Sequence, residues 1–170
     1  SRFNAAGLVY GHGTANALDE AAYLVLHTLH LPIDQLDPWL EARLLASERD
    51  AVREMIETRI TTRKPAPYLT NEAWIRGHSF YVDERVIVPR SPFAELIGAG
   101  FEPWIDPSRV ERILDVGTGS GCIAIACAAR FAAARVDAVD LSPAALEVAS
   151  RNVARHGMQD RLRLFQGDAL

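Results

Sequence analysis

The sequence predicts an α/β fold, a parallel sheet with crossover helices, preceded by a small helical domain and a β-hairpin linker. Three observations carry that prediction. From Arg112 onward, strand-like and helical runs alternate: "RILDV", "CIAIACAARFA", "RVDAVD", "SPAALEVASRNVARHG" and "RLRLFQGDA". This β-α-β-α-β order is that of a parallel sheet with right-handed crossovers. Within it, "ILDVGTGSGCIAIA" places Gly117, Gly119 and Gly121 where a strand gives way to a helix. Upstream, to about Lys64, apolar residues recur at helical spacing.

The elements follow in chain order. In "NALDEAAYLVLHTLHL" the apolar stripe is Leu18, Ala21, Ala22, Val25, Leu26 and Leu29, with Asp19, Glu20 and Tyr23 off it. Asn16 is placed to cap this helix, and Pro32 follows its end. "DPWLEARLLAS" predicts a second helix, with Asp37 as cap and Pro38 at the first helical position. "SERDAVREMIETRITTR" predicts a third, capped by Ser47, with a stripe of Val52, Met55, Ile56 and Ile60. A short helix before Gly11 completes a bundle over 1–64.

Residues 65–91 change character. Pro65 and Pro67 predict a stiffened linker, and aromatic and β-branched residues around Gly77 predict a hairpin over 73–88. "SPFAELIGAGF" restarts a helix with Ser91 as cap, and "DPSRV" is a turn. The α/β part occupies 92–170. Its second helix is capped by Ser142, starts at Pro143 and ends at Gly157.

Composition excludes several classes. The chain has 170 residues, 49% of them hydrophobic and 24% charged, as in globular proteins. No apolar run reaches the roughly 18–20 residues of a membrane span. The opening residues carry no secretory pattern, and the absence of an initiating Met suggests a processed or trimmed chain. The net charge of −4 argues against a protein that holds nucleic acid mainly through phosphates, so no direct nucleic-acid binding is expected. Arg151, Arg155, Arg161 and Arg163 read as a solvated face, and Asp137 as the partner of a local helix or of an arginine. Cys122 and Cys127, five apart in one helix, point to different faces and read as buried, reduced, small hydrophobes. That fits a cytoplasmic protein. His27 and His30 have a ligand-like spacing with no third ligand, so no metal is expected. Trp74, Phe80 and Tyr81 read as hairpin packing.

The glycine loop carries the chemistry. It lies at the carboxyl end of a strand, where open parallel sheets bind ligands. Glycines let a ligand approach the backbone, and the following helix favours a negative group at its amino terminus. About twenty residues on, Asp140 ends the next strand, where a carboxylate accepts hydrogen bonds from both ribose hydroxyls. The nicotinamide fingerprint needs a third glycine or alanine three residues after the second. Cys122 stands there, which argues against a nicotinamide oxidoreductase. The pattern is instead D-x-G-x-G-x-G, led by Asp115. Physical reading stops at an adenosine-bearing cofactor.

"ILDVGTGSGCIAIA" with "VDAVDLSPAALEVASRNVARHG" resembles the first two motifs of the Rossmann-like S-adenosylmethionine-dependent methyltransferases. "RGHSFYVDERVIVPRSPFAELI" resembles the hairpin and Pro-Arg loop of the HemK-type protein-glutamine methyltransferases. The variant Pro89-Arg90-Ser91-Pro92, with "GHGTANALDEAAYLVL" and "YLTNEAW", is similar to the PrmB branch rather than the release-factor branch. The resemblance implies transfer of a methyl group to a glutamine amide nitrogen of a large-subunit ribosomal protein, free or on the assembling ribosome. Methylation of a release-factor glutamine is the alternative. It further implies that Gly117, Thr118, Gly119, Ser120 and Gly121 wrap the methionine and ribose parts of the cofactor. Asp140 holds the ribose, and Asp168 meets the adenine amino group. Asp115 organises the loop or binds the cofactor's amino group. Pro89 and Arg90 lie near the substrate entrance, and the N-terminal helices recognise the protein substrate.

The family's Asn-Pro-Pro-Tyr segment, which grips the acceptor amide, does not occur in this chain. No catalytic residue is therefore assigned. The chain is expected to be the N-terminal part of a longer enzyme, with its methyltransferase domain truncated after the third strand. Alone it is expected to have no turnover, to act at most as a non-catalytic cofactor-binding module, and to associate through its open sheet edge.

Overall fold

The chain divides into two compact units, Ser1–Asn71 and Glu72–Leu170. The structure, a computed structural model, describes residues 2–11, 13–75, 77–90 and 92–168.

Among its described residues the first unit holds the α-helices α1 (Arg2–Ala5), α2 (Ala17–Thr28), α3 (Ala46–Thr62) and α4 (Ala66–Thr70). Its core gathers Phe3, Leu8, Ala17, Leu24 and Ala66, with Met55, Ile56 and Ile60 packed against them. Asn16 caps α2 as expected, its Oδ1 accepting from the N–H groups of Leu18 and Asp19. The buried face of α2 differs from the expected stripe. Leu18 is 74% exposed, whereas Glu20 is 1% exposed. The reason is a buried ion pair that periodicity does not reveal. Arg59 of α3 donates from Nε to Glu20 Oε1 at 2.7 Å, and from Nη2 to the Val9 carbonyl at 3.1 Å. The Thr14 hydroxyl donates to Glu20 Oε2 at 3.2 Å.

Three further expectations in this unit are corrected. Asp37 and Pro38 open only a 3-10 turn, Asp37–Trp39, and no second helix follows. Leu36, Trp39, Leu40, Leu44 and Leu45 remain 36–66% exposed, so this run lacks the packed apolar face that sustains a short helix. The third helix starts at Ala46, not after a Ser47 cap. Glu48 reaches back so that its Oε2 accepts from the Leu45 N–H at 2.8 Å. Pro65 and Pro67 do not stiffen a linker but start α4, where a missing N–H costs nothing.

In the second unit, β1 (Glu72–Ile75) and β2 (His78–Tyr81) pair antiparallel, from Glu72 opposite Tyr81 to Ile75 opposite His78. Gly77, at φ +79°, supplies the left-handed conformation the tight turn needs. The hairpin is shorter than expected because Asp83 organises its own turn. Its Oδ1 accepts from the Arg85 N–H at 3.0 Å, and its carbonyl accepts from the Val86 N–H at 3.1 Å. Such local bonds compete with strand pairing. Next come α5 (Phe93–Gly98) and a 3-10 turn, Pro107–Arg109, capped by Asp106. The cap expected at Ser91 lies outside the described residues.

The repeating part is as expected: β3 (Arg112–Val116), α6 (Cys122–Arg130), β4 (Arg135–Asp140), α7 (Pro143–Arg155) and β5 (Leu162–Gln166). The three strands form a parallel sheet in the order β3-β4-β5. Phe80, Cys122, Ile125, Val136, Val153 and Leu162 belong to its main core. Ser142 caps α7, its Oγ accepting from the Ala145 N–H at 3.2 Å. Gly157 follows the helix end at φ +65°. Both cysteines are buried and free. Burial raises the Cys122 thiol pKa and lifts that of Cys127 to about 11, so both behave as inert core residues.

The four arginines have specific partners rather than facing solvent alone. Arg151 lies 3.6 Å from the centroid of the Tyr81 ring. Arg155 donates to Glu72 at 3.0 Å and to the Ser79 hydroxyl at 2.6 Å. Arg161 bonds the carbonyls of Ala128, Phe131, Ala132 and Ala134. Arg163 grips Asp137 through two bonds of 2.8 and 3.0 Å, and Arg112 lies 3.6 Å from the same carboxylate.

Candidate functional site

Because the strands are parallel, their carboxyl ends lie together. That edge gathers the loop after β3, Asp140 at the end of β4 and the segment after β5. The loop turns inward first: the N–H groups of Gly117 and Thr118 both donate to the Val139 carbonyl, at 2.8 and 3.0 Å. It then turns on the Gly121 N–H, which donates to the Thr118 carbonyl at 2.9 Å. Gly117, Gly119 and Gly121 have φ values of +72°, +54° and +79°. Only glycine adopts this region without strain at three alternate positions.

Their surroundings divide their roles. A Cβ built on Gly117 or Gly119 meets nothing within 4 Å, so both backbones face open space. A Cβ on Gly121 would lie 3.3 Å from the Ala149 Cβ. Gly117 and Gly119 leave room for a ligand, and Gly121 lets the loop close against α7.

Asp140 ties the site together. Its Oδ2 accepts from the Gly119 N–H at 2.8 Å and its Oδ1 from the Ser142 N–H at 2.9 Å. Each oxygen retains acceptor capacity for a second donor. The Thr118 hydroxyl donates to Asp115 Oδ2 at 2.7 Å, tying the end of β3 to the loop. Thr118 and Ser120 are buried, at 5% and 3% exposure. Asp168 is exposed and lies two residues beyond the end of β5. It is carried to the same edge by Gly167, whose N–H donates to the Asp140 carbonyl at 3.1 Å. Half-buried Pro89 and exposed Arg90 lie in the irregular stretch between β2 and α5.

Asn152 is the residue that sequence reasoning missed. It is fully buried in α7 and donates to the Ser120 carbonyl at 2.8 Å, holding the loop from behind. A polar residue among Ala145, Val148, Ala149 and Val153 on the buried face of α7 was the available signal.

A groove of about 1060 Å³ runs beside β3 and includes Asp115, Leu114 and Val116 in its lining. Among the described residues no strand pairs with the other edge of β3. Leu114 and Val116 are 63% and 53% exposed. No group of three or more His, Cys, Asp or Glu among the described residues could hold a metal ion. No helix among them is long and apolar enough to cross a membrane.

The chain is similar to known proteins in sequence and in structure. Residues 104–170 match the family described as "Ribosomal protein L11 methyltransferase (PrmA)". The solved structure of precorrin 8W decarboxylase from Methanobacterium thermoautotrophicum is similar over 53% of this chain and 46% of that one, at 30% identity and a TM-score of 0.43. The ribosomal protein uL3 glutamine methyltransferase of Bordetella pertussis is 63% identical over 99% of this chain and 57% of that protein. Its namesake in Burkholderia pseudomallei is 57% identical over 99% of this chain and 55% of that protein. Across nearly its whole length, then, the chain is a homologue of proteins named ribosomal protein uL3 glutamine methyltransferase, and it spans a little over half of theirs.

Proposed function

We propose that the chain is the cofactor-binding part of an S-adenosylmethionine-dependent methyltransferase acting on a glutamine side chain of a ribosomal protein. The observation that carries this reading is the Gly119–Asp140 junction. An open-faced glycine backbone and a ribose-competent carboxylate are bonded to each other at the carboxyl edge of a parallel sheet. The substrate class rests on the names of the relatives.

The residues present fit the cofactor. Gly117 and Gly119 offer backbone with no side chain in the way, and Asp140 keeps acceptor capacity for ribose hydroxyls. Asp168 is assigned to an adenine amino group, and Asp115 to the loop and the amino-acid end. When bound, S-adenosylmethionine supplies an electrophilic methyl on a sulfonium centre to the glutamine amide nitrogen. The chain's contribution is positioning: a rigid loop holds the donor still, which lowers the entropic part of the barrier for in-line attack. Pro89 and Arg90 border the substrate entrance. The first unit recognises a ribosomal protein in the cytoplasm, free or on the assembling ribosome.

Calorimetric titration of the chain with S-adenosylmethionine, S-adenosylhomocysteine and NAD tests the cofactor. Binding of the first two and not of NAD is expected, and the reverse order refutes the reading. Mass spectrometry of uL3 and of a release factor, each incubated with the full-length enzyme, tests the acceptor. Methylation is expected on uL3, and methylation of the release factor alone overturns that assignment.

A further inference from the structure

Asn152 joins two segments that are distant in sequence, the hairpin and the glycine loop. Tyr81 faces Glu72 across the hairpin. Its N–H donates to Asn152 Oδ1 at 2.7 Å, and its carbonyl accepts from Asn152 Nδ2 at 2.9 Å. Both backbone groups of Tyr81 therefore point away from β1, as in a non-hydrogen-bonded antiparallel pair. The carboxamide takes the place of a neighbouring strand. The second Nδ2 hydrogen goes to the Ser120 carbonyl at 2.8 Å. Two carbonyls and one N–H allow only one orientation of this amide, and both of its hydrogens are used.

The side chain of Tyr81 is held as well. Arg151 lies over its ring, and its hydroxyl donates to Asp83 Oδ2 at 2.9 Å. Asp83 is gripped by Arg85, whose Nη1 also donates to Glu147 of α7 at 2.7 Å. From Tyr81 the chain runs on to Pro89 and Arg90. We propose that Asn152 is a positioning residue that locks the hairpin to the glycine loop, so that order imposed on the loop by the cofactor reaches the segment leading to the acceptor. The proposal rests on the cofactor reading above.

Only a carboxamide offers this set of one acceptor and two donors, and asparagine is the shorter of the two residues that carry one. Aspartate keeps the size but turns an acceptor toward two carbonyls. Serine is too short to reach both segments.

Hydrogen–deuterium exchange, followed on peptides spanning 78–82 and 117–121 with and without S-adenosylhomocysteine, tests the coupling. In the natural chain the ligand should slow exchange in both peptides, on the order of tenfold in 78–82. In Asn152→Asp it should slow 117–121 alone. Slowing of 78–82 that persists in Asn152→Asp overturns the proposal. So does its absence from the natural chain while 117–121 is slowed. Where Asn152→Asp does not fold, as judged by circular dichroism, Asn152→Ser takes its place. A natural chain whose 117–121 peptide is unaffected refutes the cofactor reading instead, and the coupling is then read without ligand. Gly119→Val should speed exchange in 78–82 when Asn152 is present and add nothing in Asn152→Asp. An equal effect in both backgrounds refutes the coupling.

Discussion

The backbone N–H of Gly119 donates to the side chain of Asp140 at 2.8 Å, across the gap between the first two strands of the sheet. Asp140 is thus both a builder of the loop and the acid facing the proposed ribose. Asp140→Ala should weaken S-adenosylmethionine binding on the order of tenfold to hundredfold or more, as charge-assisted hydrogen bonds are lost. Asp140→Asn, which keeps the shape but not the charge, should fall between. Calorimetry decides, and unchanged affinity in Asp140→Ala places the ribose elsewhere.

Gly119 and Gly121 should fail in different ways. Alanine at either position costs roughly 1–2 kcal/mol for its left-handed backbone. At Gly121 the new methyl also lies 3.3 Å from the Ala149 Cβ, whereas at Gly119 it projects into open space. Thermal unfolding should therefore show Gly121→Ala as the less stable variant. Cofactor titration should show Gly119→Ala as the poorer binder relative to its stability. A single common ranking in both measurements contradicts this division.

The α/β repeat was legible because each of its signals is local. Ser142, Pro143 and Gly157 punctuate α7 within the residues they control, and the glycine spacing stands in one short window. What escaped was set by partners distant in sequence. Glu20 is buried because Arg59 lies 39 positions away, and the "DPWLEARLLAS" helix is missing because its apolar face stays exposed. The part of Asn152 in the site depends on Tyr81, 71 positions away, which no periodicity encodes.

The hairpin should loosen on mild acidification. Burial holds the His156 pKa below its usual 6.5, opposed by a bond to the Ser79 carbonyl and reinforced by the charges of His78 and Arg155. The Phe80 ring centroid is 4.8 Å from that of His156, so a charge there disturbs the core. The unfolded chain binds the proton more readily. Stability is therefore full above the unfolded pKa and is lost as pH falls through the lower folded value. Asp83, held at about 2 chiefly by its Arg85 side-chain bonds, titrates below this window. Urea unfolding at about pH 7.5 and about pH 5.5 should show the loss, and His156→Phe should reduce it. An unaltered pH dependence in that variant assigns the effect to another group.

Breaking the Glu20–Arg59 pair should be costly in either direction. Both side chains are 2% exposed, so Glu20→Gln or Arg59→Met strands a charge or an unmatched donor. A loss of about 3–5 kcal/mol is expected for Arg59→Met, with much of it recovered in the double variant Glu20→Leu/Arg59→Met. Denaturant titration of the natural chain, Glu20→Leu, Arg59→Met and the double variant measures this. Additive losses in the double variant show that the pair is not the source.

Arg161 has a kinetic consequence. Its guanidinium collects carbonyls from the end of α6 and the turn into β4, 27 to 33 positions earlier in the chain. Arg161 reaches those carbonyls only after the crossover from β4 through α7 is complete, so the residue can act only once that part of the sheet has assembled. It is a latch rather than a nucleus. Its removal should speed unfolding while leaving the rate of folding nearly unchanged.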